Sequence, residues 1–99
     1  MKVIIGIPAF NEEKNIARII VKLKKKYDHV IVCDDGSSDM TQDIAASLGA
    51  IVIKHSSNLG YGAAIKTIFN ESKKIDGDVL VTFDADGQHQ ISEIDSVLK

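Results

Sequence analysis

The chain has 99 residues, 44% hydrophobic and 26% charged, with a formal net charge of −2, which fits one small domain with a modest core. That balance carries no electrostatic footprint for nucleic acid or for an anionic membrane surface, and no apolar run approaches the length of a membrane span. A lone cysteine, Cys33, excludes an internal disulfide framework and suits a reducing, cytoplasmic compartment, and the opening MKVIIGIP is too short for a signal peptide.

Residues 3–7 are β-branched and apolar and read as a buried strand, running into Pro8-Ala9-Phe10-Asn11-Glu12. Ile16, Ile19, Ile20 and Leu23 then recur at helical spacing, and the basic run at 22–26 falls where that helix should end and complements its dipole. A second strand is expected at 30–33, with Cys33 as a buried structural thiol, followed by Asp34-Asp35-Gly36-Ser37-Ser38-Asp39. Met40, Ile44 and Leu48 mark one face of a second helix, capped by Asp39 with Gln42 three residues on. The third strand, at 50–53, precedes the glycine-rich SSNLGYGAA, and Ile65, Ile68, Phe69 and Ile75 form the face of a third helix. Gly49 and Gly77 stand just past the second and third helices, where a left-handed residue is wanted. The run at 79–83 is the fourth strand and opens into Asp84-Ala85-Asp86-Gly87-Gln88-His89. A fourth helix is expected from Ile91, Ile94 and Leu98, with Ser92 and Asp95 in capping-box relation.

The alternation βαβαβαβα predicts an α/β fold over residues 1–99. It should be a three-layer, doubly wound parallel sheet, Rossmann-like, with right-handed crossovers and strand order 3-2-1-4. The chain stops within the expected fourth helix, so a missing C-terminal half is expected. Strand four should then lie at an open apolar edge, which invites a homo-oligomer.

Ligands of such sheets bind at the carboxyl ends of the strands, near the point where strand order reverses. All four informative segments fall there. Asp34 and Asp35 read either as a polar turn or as acceptors for a pyrimidine imide N–H or a sugar hydroxyl. Gly60 and Gly62 suggest a dinucleotide fingerprint, but the third glycine position holds Ile65, which argues against one. Asp84 and Asp86, two apart in an extended segment, should face one spot. Like charges so placed raise each other's pKa unless a cation neutralises them, and a hydrated turn is the plain alternative. Hard oxygen ligands with open positions suit Mg²⁺ or Mn²⁺ carrying a diphosphate. His29 and His55 are isolated and read as structural or solvated, whereas His89 follows the acids.

Four segments together, IPAFNEEKNI, VIVCDDGSSDMTQDIA, SNLGYGAAIKTIF and VLVTFDADGQH, resemble family 2 glycosyltransferases of the GT-A fold, nearest to the dolichyl- or polyprenyl-phosphate mannose and glucose synthases. The resemblance spans essentially the whole chain. It implies that Pro8, Phe10 and Glu12 line a nucleoside pocket, and that Asp35, with Asp34, binds the base or ribose. It implies that Asp84, Ala85 and Asp86 form the DxD segment. Asp86 would then bind the metal and Asp84 the metal or ribose, with Gln88 as a third metal ligand. Gly60 and Gly62 would let the third helix approach the donor, and Lys66 would assist with phosphate. The implied partners are a UDP- or GDP-sugar donor and a lipid-phosphate or glycan acceptor, and the implied location is the cytoplasmic face of a membrane, reached through parts outside these residues. No catalytic residue is assigned within 1–99, because in this family the acceptor half supplies any base. Gln90 and Ile91 depart from the family, which commonly has proline after the acidic segment. Two rivals stay open at this level. One is a haloacid-dehalogenase phosphatase, with Asp84 as nucleophile and Asp86 as acid; the other is a non-catalytic nucleotide-binding fragment.

Overall fold

The computed structural model describes residues 1–85 and the backbone of 91–94. Its elements are β1 (Val3–Ala9), α1 (Ile16–Lys24), β2 (His29–Asp34), α2 (Thr41–Ser47), β3 (Ile51–Lys54), α3 (Tyr61–Lys74), β4 (Val79–Phe83) and β5 (Ile91–Ile94). The sheet runs β3-β2-β1-β4-β5. Its first four strands are parallel, in the expected order 3-2-1-4, and β5 is antiparallel to β4.

Strand alternation divides the core into two layers. Ile5, Ile7, Val30 and Val32 face α1 and α2, where they meet Ile16, Ile19, Ile20, Leu23 and Ala45. Ile4, Ile31, Cys33 and Leu80 face the other way, onto Ala64 and Ile68 of α3. A side chain on Gly6 would collide with the Ile68 side chain, so the glycine sets how closely α3 lies on β1. The buried face of α1 is the one its spacing predicts. That of α2 is turned by about one residue: Thr41 and Ala45 are buried, Ile44 and Leu48 pack at the margin, and Met40 is exposed. On α3 the buried residues are Ala64, Ile68 and Ser72, with Phe69 and Ile75 at the edge of the core.

Three expectations are corrected. The segment at 91–94, expected to begin a fourth helix, is a strand, because the open edge of β4 offers ladder partners that a four-residue helical pattern cannot match. Its pairing with Leu80 through Phe83 also occupies the β4 edge, so the ground for expecting self-association along β4 is removed. The left-handed residue after α3 is Asp76, at φ 59°, not Gly77; Gly49, at φ 90°, does end α2 as expected. Among the described residues no helix is long and apolar enough to cross a membrane.

Candidate nucleotide-binding site

The loops at the carboxyl ends of β1 and β2 are latched to each other. Asn11 adopts φ 50°, which a short amide side chain tolerates. Its N–H donates to Ser37 Oγ at 2.8 Å, and its Oδ1 accepts from the Ser38 N–H at 2.9 Å. Next to it, the Glu12 N–H donates to Thr41 Oγ1 at 2.8 Å, and the Met40 N–H donates to Glu13 Oε1 at 3.0 Å. Asp39 accepts from the Thr41 N–H at 2.9 Å and from its hydroxyl at 2.5 Å, which starts α2. Burial works to raise the Asp39 carboxyl, but the bonds from Thr41 and the Glu13 N–H outweigh it and hold the group below its ordinary value.

The adjacent acids Asp34 and Asp35 face opposite ways, as neighbours at the end of a strand must. Asp34 is fully buried and accepts from the hydroxyl and the N–H of Ser37, so its carboxylate braces the turn and does not line the cleft. Asp35 accepts from the Leu59 N–H and the Gly60 N–H, each at 2.9 Å, and from His55 Nδ1 at 2.8 Å. Burial alone would raise its pKa, but the bonds from His55, Leu59 and Gly60 prevail and place the carboxyl below the usual carboxylate range. These contacts hold Gly60 at φ 104° and so set the first turn of α3.

His55, which looks isolated in the sequence, is a bridge. Its Nε2 lies 2.8 Å from Thr67 Oγ1 on α3 and 3.6 Å from Cys33 Sγ on β2. Cys33 is buried, and burial together with the Asp35 and Asp34 charges pushes its thiol up to about 11. It is inert at neutral pH.

Between the β1, β3 and β4 loops lies an open cleft of about 380 Å³. Of the residues singled out in the sequence, it is lined by Pro8, Phe10, Glu12, Asp35, Gly60, Asp84 and Ala85. Asp34, Gly62 and Lys66 are not part of the lining. Asp86 and Gln88 fall outside the described residues. The structure adds Asn58, Tyr61 and Ala64, whose signal was their place on the same rim as the other segments. Tyr61 is 59% exposed at the start of α3, and burial of its hydroxyl, the nearby Asp84 charge and a hydrogen bond to Asp84 raise its pKa. The cleft thus offers an exposed aromatic face, Phe10 at 45% exposure, and three carboxylates, Glu12 on the β1 loop with Asp35 and Asp84 on either side of it.

Asp84 is half-buried beside open space and would supply one hard oxygen ligand to an ion there; among the described residues no group of three or more potential metal ligands assembles. One carboxylate completed by phosphate oxygens fits the needs of Mg²⁺ or Mn²⁺, which keep few protein ligands.

Parallel strands in order 3-2-1-4, with a polar cleft at the reversal point, define a doubly wound α/β protein whose cleft lies where such sheets take their ligands. The chain belongs to the glycosyl transferase family 2, whose family model matches residues 4–99. It is 37% identical over 111 residues to UDP-N-acetylglucosamine–dolichyl-phosphate N-acetylglucosaminyltransferase of Methanococcus voltae, covering 94% of this chain and 44% of that protein. Polyprenol monophosphomannose synthase of Mycolicibacterium smegmatis is 31% identical over 105 residues, covering 98% and 40%. Among solved structures, glucosyl-3-phosphoglycerate synthase from Mycobacterium tuberculosis, crystallised with Mn²⁺, UDP and glucosyl-3-phosphoglycerate, matches with a TM-score of 0.70 at 29% identity, covering 86% of this chain and 33% of that one. The chain therefore spans about two-fifths of the length of the curated relatives it matches. The resemblance drawn from the four motifs holds, and these comparisons lend no support to the phosphatase alternative.

Proposed function

We propose that residues 1–99 form the donor-binding part of a glycosyltransferase that moves a sugar from a nucleoside diphosphate to an acceptor, most simply a polyprenyl or dolichyl phosphate. One observation carries this reading: Phe10, Asp35 and Asp84, far apart in sequence, converge on a single cleft at the reversal point of the sheet. The names of the relatives support a lipid-phosphate acceptor, and the Mn²⁺ and UDP of the solved neighbour support a nucleotide and a divalent ion.

Asp35 is the fixed anion for the nucleoside, ionised at neutral pH and already oriented by its protein donors. Phe10 and Pro8 supply apolar surface for the base, and Glu12 supplies a further carboxylate in the same lining. Asp84 would hold Mg²⁺ or Mn²⁺, with Asp86 and Gln88 as its expected companions. When bound, the ion neutralises the charge that develops on the departing diphosphate. In the transfer, the bond from the anomeric carbon to the diphosphate oxygen breaks and one to the acceptor oxygen forms. An acceptor that is already an anionic phosphate needs no strong base from this chain.

The deciding experiment is calorimetric titration with UDP and GDP, each with and without Mn²⁺. Metal-dependent binding that Asp86→Asn abolishes is expected. Equal binding without metal, or none to either nucleotide, would sink the donor-site reading.

A further inference from the structure

Asp35 lines the cleft with most of its accepting capacity already used. An ionised carboxylate offers about four lone-pair positions. On Oδ1, one is taken by the Leu59 N–H at 2.9 Å and one by His55 Nδ1 at 2.8 Å; on Oδ2, one is taken by the Gly60 N–H at 2.9 Å. Among the described residues no further hydrogen bond to this carboxylate is formed, so the remaining position is on Oδ2.

The occupant of Oδ1 is itself held in place. A carboxylate only accepts, so a ring proton sits on Nδ1, and Nε2 lies 2.8 Å from the Thr67 hydroxyl oxygen on α3. The His55 side chain is 11% exposed, packed between the end of β3 and α3. A ligand can use Oδ1 only by displacing this ring or an amide that fixes the start of α3, and either loss leaves a polar group short of its partner.

Bases differ in what they ask of a carboxylate. Guanine presents N1–H and its 2-amino group side by side and is met by both oxygens of a free carboxylate, in the way a guanidinium fork is met. Uracil presents one imide N–H and needs one accepting position. Cytosine has no ring N–H at that edge, and methylation of the uracil imide nitrogen removes it.

Resting on the donor-site reading above, we propose that the His55–Asp35 pair, with the Leu59 and Gly60 amides, leaves the nucleoside site a single accepting position and so selects a uracil-class base over guanine. His55 acts here as a positioning residue: it touches Asp35, and Asp35 touches the base.

Titration calorimetry of this chain with UDP, GDP, CDP and N3-methyl-UDP, all with Mn²⁺, tests the inference. UDP is expected to bind at least about tenfold more tightly than each of the other three, the effect of one hydrogen bond to a charged acceptor. His55→Leu, which releases a position on Oδ1, should narrow the UDP-to-GDP ratio severalfold, a readout that loss of stability alone would not move. GDP or N3-methyl-UDP binding as tightly as UDP overturns the base selection and leaves the donor site standing. An unchanged ratio in a folded His55→Leu protein removes His55 from it. Should that variant not fold, the four wild-type affinities decide. Binding of no nucleotide overturns both this inference and the donor-site reading.

Discussion

A β-carbon on Gly36 would lie 2.6 Å from the carbonyl carbon of Ser57 and 2.7 Å from the amide nitrogen of Asn58. The turn after β2 and the loop after β3 therefore meet backbone to backbone, with Gly36 at φ 81°. Both facts exclude a side chain, so Gly36→Ala should cost about 1–3 kcal/mol. Urea unfolding should show a lower midpoint with an unchanged slope. Gly62, exposed within α3 and with nothing near its missing β-carbon, is the contrast. Gly62→Ala should stabilise by up to about 1 kcal/mol.

Asp84→Asn keeps the size of a half-buried side chain and removes its charge. The thermal midpoint should move little, while nucleotide affinity in Mn²⁺ falls about tenfold or more and affinity without metal is spared, as expected for loss of an ionised partner of the ion. Calorimetric titration with and without the metal separates the two.

The same substitution has a spectroscopic consequence. Burial, the charge of Asp84 and the hydrogen bond to it hold the Tyr61 phenol above its ordinary value of 10.0. Ultraviolet titration of a Tyr27→Phe background, which leaves Tyr61 as the reporter, should therefore show a lower phenol pKa once Asp84→Asn is introduced. Burial remains in that variant, so the return toward 10.0 should be partial.

Asp35 and Asp39 both titrate below their ordinary value of 3.8 in the folded protein. A depressed folded pKa means that the unfolded chain binds protons first as pH falls. The stability these carboxylates contribute is complete above pH 3.8 and is lost as pH drops through their folded values. Stability measured by urea unfolding should hold steady toward mild acid and then decline, and Asp35→Asn should flatten part of that decline while lowering stability near neutrality.

With its thiol pushed up to about 11 and no exposure, Cys33 should resist thiol reagents in the folded protein at pH 8. Addition of urea should release one reactive thiol per chain. Rapid labelling without denaturant would show that the β2–β3 region opens.

Much of this molecule is legible along the chain because strand and helix periods are local properties. The β-branched runs locate the four parallel strands, the spacing of Ile16, Ile19, Ile20 and Leu23 names the buried face of α1, and the rule of carboxyl ends collects Phe10, Asp35 and Asp84 before any fold is known. Where local signals were weak, packing decided. The face of α2 turned because Thr41 is tied to the Glu12 amide and Asp39, which fixes the helix start. The segment at 91–94 became a strand because β4 had an edge to fill.

What the amino-acid order determined by itself is the alternation of strands and helices as far as β4, the family resemblance and, on the polar rim, the places of Pro8, Phe10, Glu12, Asp35 and Asp84. Which of two neighbouring acids faces the cleft depended on how β2 is seated, with Asp34 turned to Ser37 and Asp35 to the α3 side. That His55 binds Asp35 across 20 residues was a further decision of the tertiary structure. An isolated histidine carries no periodic signal, and only the parallel register that sets the end of β3 beside the end of β2 brings the ring to the carboxylate.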